Sequence, residues 1–224
     1  APLLFNDSDV YKMIEGWCYV LAALPSEGPD AARRAALETD LDALIAKVAA
    51  AQHPDGYINT YYTLKAGIEN RFTREEWDHE TYCMGHLIEA GVAHFDATGK
   101  RALLDVAIRA ADYLDTLYGP DTFTAPPGHQ ELELALVRLS DATGEPRYLD
   151  LAEFLIEQRG RPHRKLDGTV YGPWGDYAQD HKPAAEQTEA AGHAVRAGYM
   201  YASMAWRSEA AGTTGPRWKP CGKT

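Results

Sequence analysis

His79-Glu80-Thr81-Tyr82-Cys83-Met84-Gly85-His86 concentrates more potential chemistry than any other stretch of this chain. His79, Cys83 and His86 fall at i, i+4 and i+7, a spacing that a helix gathers onto one face. Two imidazoles and a thiol on one face could hold a metal, and the Glu beside His79 would then be a base. Cys83, however, stands where the helical zinc motif requires its second His, so the spacing favours a cleft-facing His79 above a packed Cys83 and a buried His86. No partner base beside Cys83 can be identified, which disfavours it as a nucleophile. Glu15, Glu80, Glu131 and Glu189 are carboxylates of the type a glycoside hydrolase pairs, and spacing along the chain does not choose among them. There is no Gly-rich phosphate loop, Gly-x-Ser-x-Gly elbow or Cys-x-x-Cys pair, which disfavours nucleotide enzymes and serine hydrolases.

Helices must carry these groups. Hydrophobic spacing and capping residues predict seven, over about 8–24, 30–51, 77–97, 100–118, 129–141, 146–159 and 185–207. Asp96-Ala97-Thr98-Gly99 and Asp141-Ala142-Thr143-Gly144 are the same turn repeated 45 residues apart, each followed by Leu-Asp-x-Ala. Such a repeat describes an all-α array of stacked helical hairpins. The first helix of each hairpin is apolar nearly all round and belongs inside; the second has a polar face and belongs outside. Hairpins of this kind close into an (α/α)6 barrel of six pairs, and residues 1–206 supply about half of one, with an irregular tail over 207–224. In such a ring the starts of the inner helices share a central cleft. His79 and His129 then open two of them, His193 lies just inside a third, and Asp7 and Asp9 start the first. The Tyr57–Tyr62 loop suits either a sugar-pocket wall or simple packing. The Gly/Pro-rich, aromatic insertion over 160–185 has the length of a functional loop.

Composition narrows the class. The chain has 224 residues, 45% of them hydrophobic, and can bury a full core. With 22 basic against 33 acidic residues its formal charge is −11, which argues against nucleic acid or an anionic membrane as partner. Cys18, Cys83 and Cys221 are too few and scattered for a disulfide framework, so a reducing, cytoplasmic setting is expected. The chain shows no leader, but it starts without Met, as a segment of something longer would.

Five motifs in order carry a resemblance. They are Asp7-Ser8-Asp9-Val10-Tyr11-Lys12, Gly56-Tyr57-x-x-Thr60-Tyr61-Tyr62, His79-Glu80-x-Tyr82-Cys83-x-Gly85-His86-Leu87-Ile88-Glu89-Ala90, Pro127-Gly128-His129 with Glu133-Leu134-Ala135-Leu136-Val137-Arg138-Leu139, and Gly192-His193-Ala194-Val195-Arg196-Ala197. Over about residues 5–205 the chain resembles glycoside hydrolase family 127, the β-L-arabinofuranosidases (DUF1680 type). The resemblance implies an (α/α)6 barrel followed by β-sandwich domains, and a retaining exo-hydrolase that removes β-L-arabinofuranose. It implies a zinc-bound cysteine nucleophile and a glutamate acid/base, all on later helices, so this chain is expected to hold no catalytic residue and no metal and to be inactive alone. His79, His129 and His193 match the family's sugar-contacting histidines. Cys221 has neither the Glu-x-Cys nor the Cys-Cys context of the family's nucleophile. Two other classes fit the residues: a non-catalytic helical module binding carbohydrate or protein, and another (α/α)-barrel sugar enzyme such as a uronyl hydrolase or epimerase. In the helical-module setting an open ring would leave apolar inner faces free for self-association through its open edge.

Overall fold

A computed structural model describes residues 3–210. Seven α-helices are present among them: α1 (Asn6–Ala23), α2 (Ala31–Ala51), α3 (Glu80–Thr98), α4 (Ala102–Leu117), α5 (Leu132–Thr143), α6 (Pro146–Glu157) and α7 (Ala194–Ala210). They form two layers. The inner row runs α1, α3, α5, α7, each packed on the next, and α2, α4 and α6 line up outside. This is the alternating half-ring that the repeated turn predicts.

The repeat is reproduced in detail. Gly99 and Gly144 end α3 and α5 in the left-handed region at φ 72° and 75°, where a residue without Cβ carries little cost. Thr98 and Thr143 each donate their hydroxyl to the carbonyl four residues back, at 2.6 and 2.7 Å. The same oxygens accept the backbone N–H of Lys100 and Glu145. One sequence motif thus makes the same turn twice.

Inner-helix burial follows the expectation for α3, which is buried from Glu80 through His94. It does not for α1, which ends the row and exposes Met13, Tyr19 and Val20. The core divides in two, one part between α1–α4 and one between α3–α6, and α3 belongs to both. No helix among the described residues is long and apolar enough to cross a membrane.

Two helix starts differ from expectation. α5 begins at Leu132, so His129 lies in an extended lead-in rather than at the helix start. α7 begins at Ala194 rather than near 185. Between them, the insertion forms a hairpin of β1 (His163–Arg164) and β2 (Val170–Tyr171), followed by two short helical turns. The tyrosine loop is structural: Tyr57 and Tyr62 are buried and donate their hydroxyls to Glu80 and Asp78, each at 2.6 Å. Those two side chains therefore pack in the core and do not line a pocket, while Ile58, Asn59 and Thr60 of the same loop face a cavity beside the end of α2. Of the irregular tail, 211–224, including Cys221, lies outside the described residues, and α7 runs on as far as Ala210.

Candidate functional site

Backbone geometry at the helix starts places the three histidines. His79 immediately precedes α3, its carbonyl accepting the Cys83 N–H at 2.9 Å, and His193 caps α7 in the same way through Ala197 at 3.0 Å. His129 is held differently. Pro126 and Pro127 keep its lead-in extended, and Gly128 passes so close to the 75–76 backbone that an added Cβ would overlap the Glu76 carbonyl oxygen. Gly128 N–H donates to Glu75 O at 3.2 Å, while the buried Arg196 of α7 donates to Gly128 O at 2.6 Å. Three inner helices are thereby pinned at one end.

The imidazoles converge. Ring centroids lie 5.6 Å apart for His79 and His129 and 6.0 Å apart for His129 and His193. Tyr82 packs against His129 at 4.4 Å, against His79 at 5.3 Å and against His86 at 4.5 Å. Tyr199 closes the group, 5.8 Å from His129. From α1, Lys12 donates to the Tyr82 hydroxyl at 2.6 Å. So the first inner helix contributes an ammonium instead of a carboxylate. Asp7 faces the other way and accepts both the backbone N–H and the hydroxyl of Thr60, at 2.7 and 2.5 Å. Asp9 is exposed. Sequence reasoning missed Lys12, Tyr82, Tyr199 and Arg196; Tyr82 alone had a local signal, one helical turn after His79.

Burial favours the neutral form of His79, His129 and His86. Burial, aided by the Arg196 charge, lowers the pKa of His79; burial lowers that of His129 to about 4. His86, beneath them, is pushed down to about 3 by burial and then by Lys12. A neutral imidazole offers one donor and one acceptor, and the neighbours say which is which. His129 Nδ1 lies 2.8 Å from the Gln130 carbonyl, which can only accept, so Nδ1 carries the proton and Nε2 is left as an acceptor. His193 Nδ1 accepts the Arg196 N–H at 3.4 Å, so its Nε2 carries a proton and donates. An acceptor and a donor side by side suit vicinal hydroxyl groups.

The thiols and carboxylates lie elsewhere. Cys83 is buried with Sγ 3.8 Å from Leu4 O, and burial raises its pKa; Cys18 is buried too, its thiol pushed up to about 12. Among the described residues no three His, Cys, Asp or Glu side chains are arranged to hold a metal. The described residues thus offer no donor set for the zinc that the resemblance implies on later helices. Glu80 is buried, accepting from Tyr57 and from the Phe72 N–H at 2.7 Å, and burial raises its pKa to about 7. Glu131 is only 1% exposed and lies 3.2 Å from His86 Nδ1. Glu15 accepts from Tyr19 at 2.5 Å, and Glu189 is exposed on the insertion.

Comparison with known proteins identifies the family and agrees with the helical fold. Residues 2–214 match the family model described as the β-L-arabinofuranosidase GH127 catalytic domain. A non-reducing end β-L-arabinofuranosidase of Bifidobacterium longum subsp. longum is 38% identical over 220 residues, covering 91% of this chain and 32% of its own length. The crystal structure of a GH127 β-L-arabinofuranosidase from Geobacillus stearothermophilus T6 superposes with a TM-score of 0.81 at 41% identity, over 95% of this chain and 34% of that one. A second GH127 β-arabinofuranosidase structure gives 0.80 at 41% identity, over 95% and 32%. The chain therefore spans about a third of the length of the relatives it matches.

Proposed function

The chain belongs to the GH127 β-L-arabinofuranosidase catalytic-domain family, and from that premise we propose that His79, His129 and His193 are the arabinose-contacting part of the sugar pocket of a retaining exo-hydrolase. One observation carries the reading: three imidazoles from three successive inner helices meet at one end of a half-ring. His129 Nε2 accepts from one sugar hydroxyl and His193 Nε2 donates to another, while Tyr82 and Tyr199 give the ring carbons an apolar surface. The family's zinc, cysteine nucleophile and acid/base glutamate are assigned to the part of a relative-length enzyme that this chain does not span. The described residues provide binding and orientation.

Titration calorimetry of the purified chain with methyl β-L-arabinofuranoside tests the proposal. Binding is expected for the wild type and should fall at least about tenfold in His129→Ala, the loss of one hydrogen bond in a closed site. Circular dichroism should be unchanged, since His129 lies outside α5. Undiminished binding in the variant would remove His129 from the pocket.

A further inference from the structure

The Gly/Pro-rich insertion serves the three-imidazole site where Tyr177 O accepts the His193 N–H at 3.1 Å and Gln179 donates to His193 O at 3.1 Å, and its β1–β2 end, which that site does not use, is built rigidly too. Asp180 anchors it, accepting from Gly160 N–H and Trp174 N–H at 2.6 Å and from His163 at 2.7 Å, with both side chains of the last pair fully buried. The β1 end is tied to the core by Arg164 N–H on Thr124 Oγ1 at 2.7 Å and by Thr124 N–H on Arg164 O at 3.1 Å. Between this hairpin and the 73–77 segment lies a cleft of about 350 Å³. Thr73, Glu76 and Trp77 line one side; Lys165, Thr169 and Tyr171 line the other.

Its chemistry is specific. Trp77 is 54% exposed, an uncommon state for so large an apolar side chain. Lys165 spans the cleft, its Nζ 3.4 Å from Thr73 O and 5.3 Å from the Tyr171 ring centroid, with donors left over. A flat aromatic face beside an ammonium, a carboxylate and hydroxyls matches a sugar ring, whose C–H face stacks while its hydroxyls are bonded at the rim. The cleft also adjoins the imidazoles: Trp77 precedes His79 by two residues, and Glu75 O holds Gly128 beside His129. The Bifidobacterium relative is named for action at a non-reducing end. If a terminal sugar sits on the imidazoles, the rest of the glycan must leave along one of the adjoining walls.

We propose that this cleft is a second saccharide subsite, which takes the sugar unit bearing the terminal arabinofuranose, with Trp77 as its stacking platform. The inference rests on the arabinose reading of the three imidazoles. Calorimetry on the purified chain compares methyl β-L-arabinofuranoside with a disaccharide in which a second arabinofuranose replaces the methyl group. The disaccharide should bind about tenfold tighter to the wild type. Trp77→Ala should erase that gain and leave the methyl glycoside unaffected, and Trp77→Phe should keep most of it. A wild type without the gain, or a Trp77→Ala variant that retains it, overturns the subsite while the arabinose reading stands. A wild type that binds neither ligand overturns the arabinose reading and this inference with it.

Discussion

At the scale of single residues, the pair His86 and Glu131 decides how the layer beneath the imidazoles behaves with pH. Burial and then the Lys12 charge hold His86 down at about 3; burial and then the Glu89 charge raise Glu131 well above the usual carboxylate range. The shifts are opposite in sense, so the close approach of the two at 3.2 Å is a neutral contact and not an ion pair. Below pH 6.5 the unfolded chain takes up a proton on His86 that the folded state refuses, and stability falls as pH drops toward 3. Above pH 4.5 the unfolded chain releases the Glu131 proton that the folded state keeps, and stability falls as pH rises. The pair therefore costs least between about 4.5 and 6.5. Glu131→Gln copies the protonated carboxyl in shape and cannot ionise. Scanning calorimetry should show its Tm above wild type by a few degrees at pH 7.5, on the order expected for one such buried group, and equal to wild type at pH 4.5. A gain of the same size at both pH values would refute the neutral pairing.

At the scale of elements, glycines set how closely the inner helices approach. A Cβ on Gly85 of α3 would stand 2.7 Å from Glu131 Cγ and 2.9 Å from Leu132 N, where α5 begins. Gly85→Ala must push α5 and its lead-in away from α3, and His129 with it. A loss of about 1–3 kcal/mol by urea unfolding is expected, together with weaker sugar binding. Gly16 of α1 is the control, since nothing lies within 4 Å of its added Cβ; Gly16→Ala should stabilise by about 0.5–1 kcal/mol. Equal effects of the two would show that helix propensity, not close approach, governs both. The repeated Asp-Ala-Thr-Gly turn and the helical periods were legible because each acts within a few residues. The starts of α5 and α7 were not, because long-range buried polar groups set them. Arg159 donates to Pro127 O at 2.6 Å and to Glu133 at 3.0 Å, Gln130 to Ala178 O at 2.9 Å, and Gln179 to Ala191 O at 2.9 Å and His193 O at 3.1 Å. These bonds hold extended backbone where propensity alone would permit helix. Likewise His79, His129 and His193 could be chosen from their places at or just ahead of the predicted helix starts, whereas Lys12 reaches Tyr82 across 70 residues with no periodic trace.

At the scale of the whole molecule, the inner row has two free ends among the described residues. α1 packs on α2 and α3 and turns Met13, Tyr19 and Val20 outward; α7 packs on α5 and leaves Val195 and Tyr201 exposed. In a closed ring of alternating helices each inner helix has an inner neighbour on both sides, whereas α1 and α7 each have one among the described residues and carry these exposed apolar side chains. Apolar side chains grouped along a helix flank associate when free, and a second copy offers such a flank at its own open end. The purified chain at tens of micromolar, an ordinary working range for weak association, should therefore sediment heavier than its 24.7 kDa monomer. Because the driving surface is apolar and the chain carries a formal charge of −11, added salt should strengthen the association by screening repulsion between copies. Val20→Lys combined with Tyr201→Lys places charge on both flanks without touching the imidazoles, and should return the monomer with sugar binding retained. A wild type that sediments as a monomer across that range, or an oligomer that both substitutions leave intact, would show that the open flanks do not drive assembly.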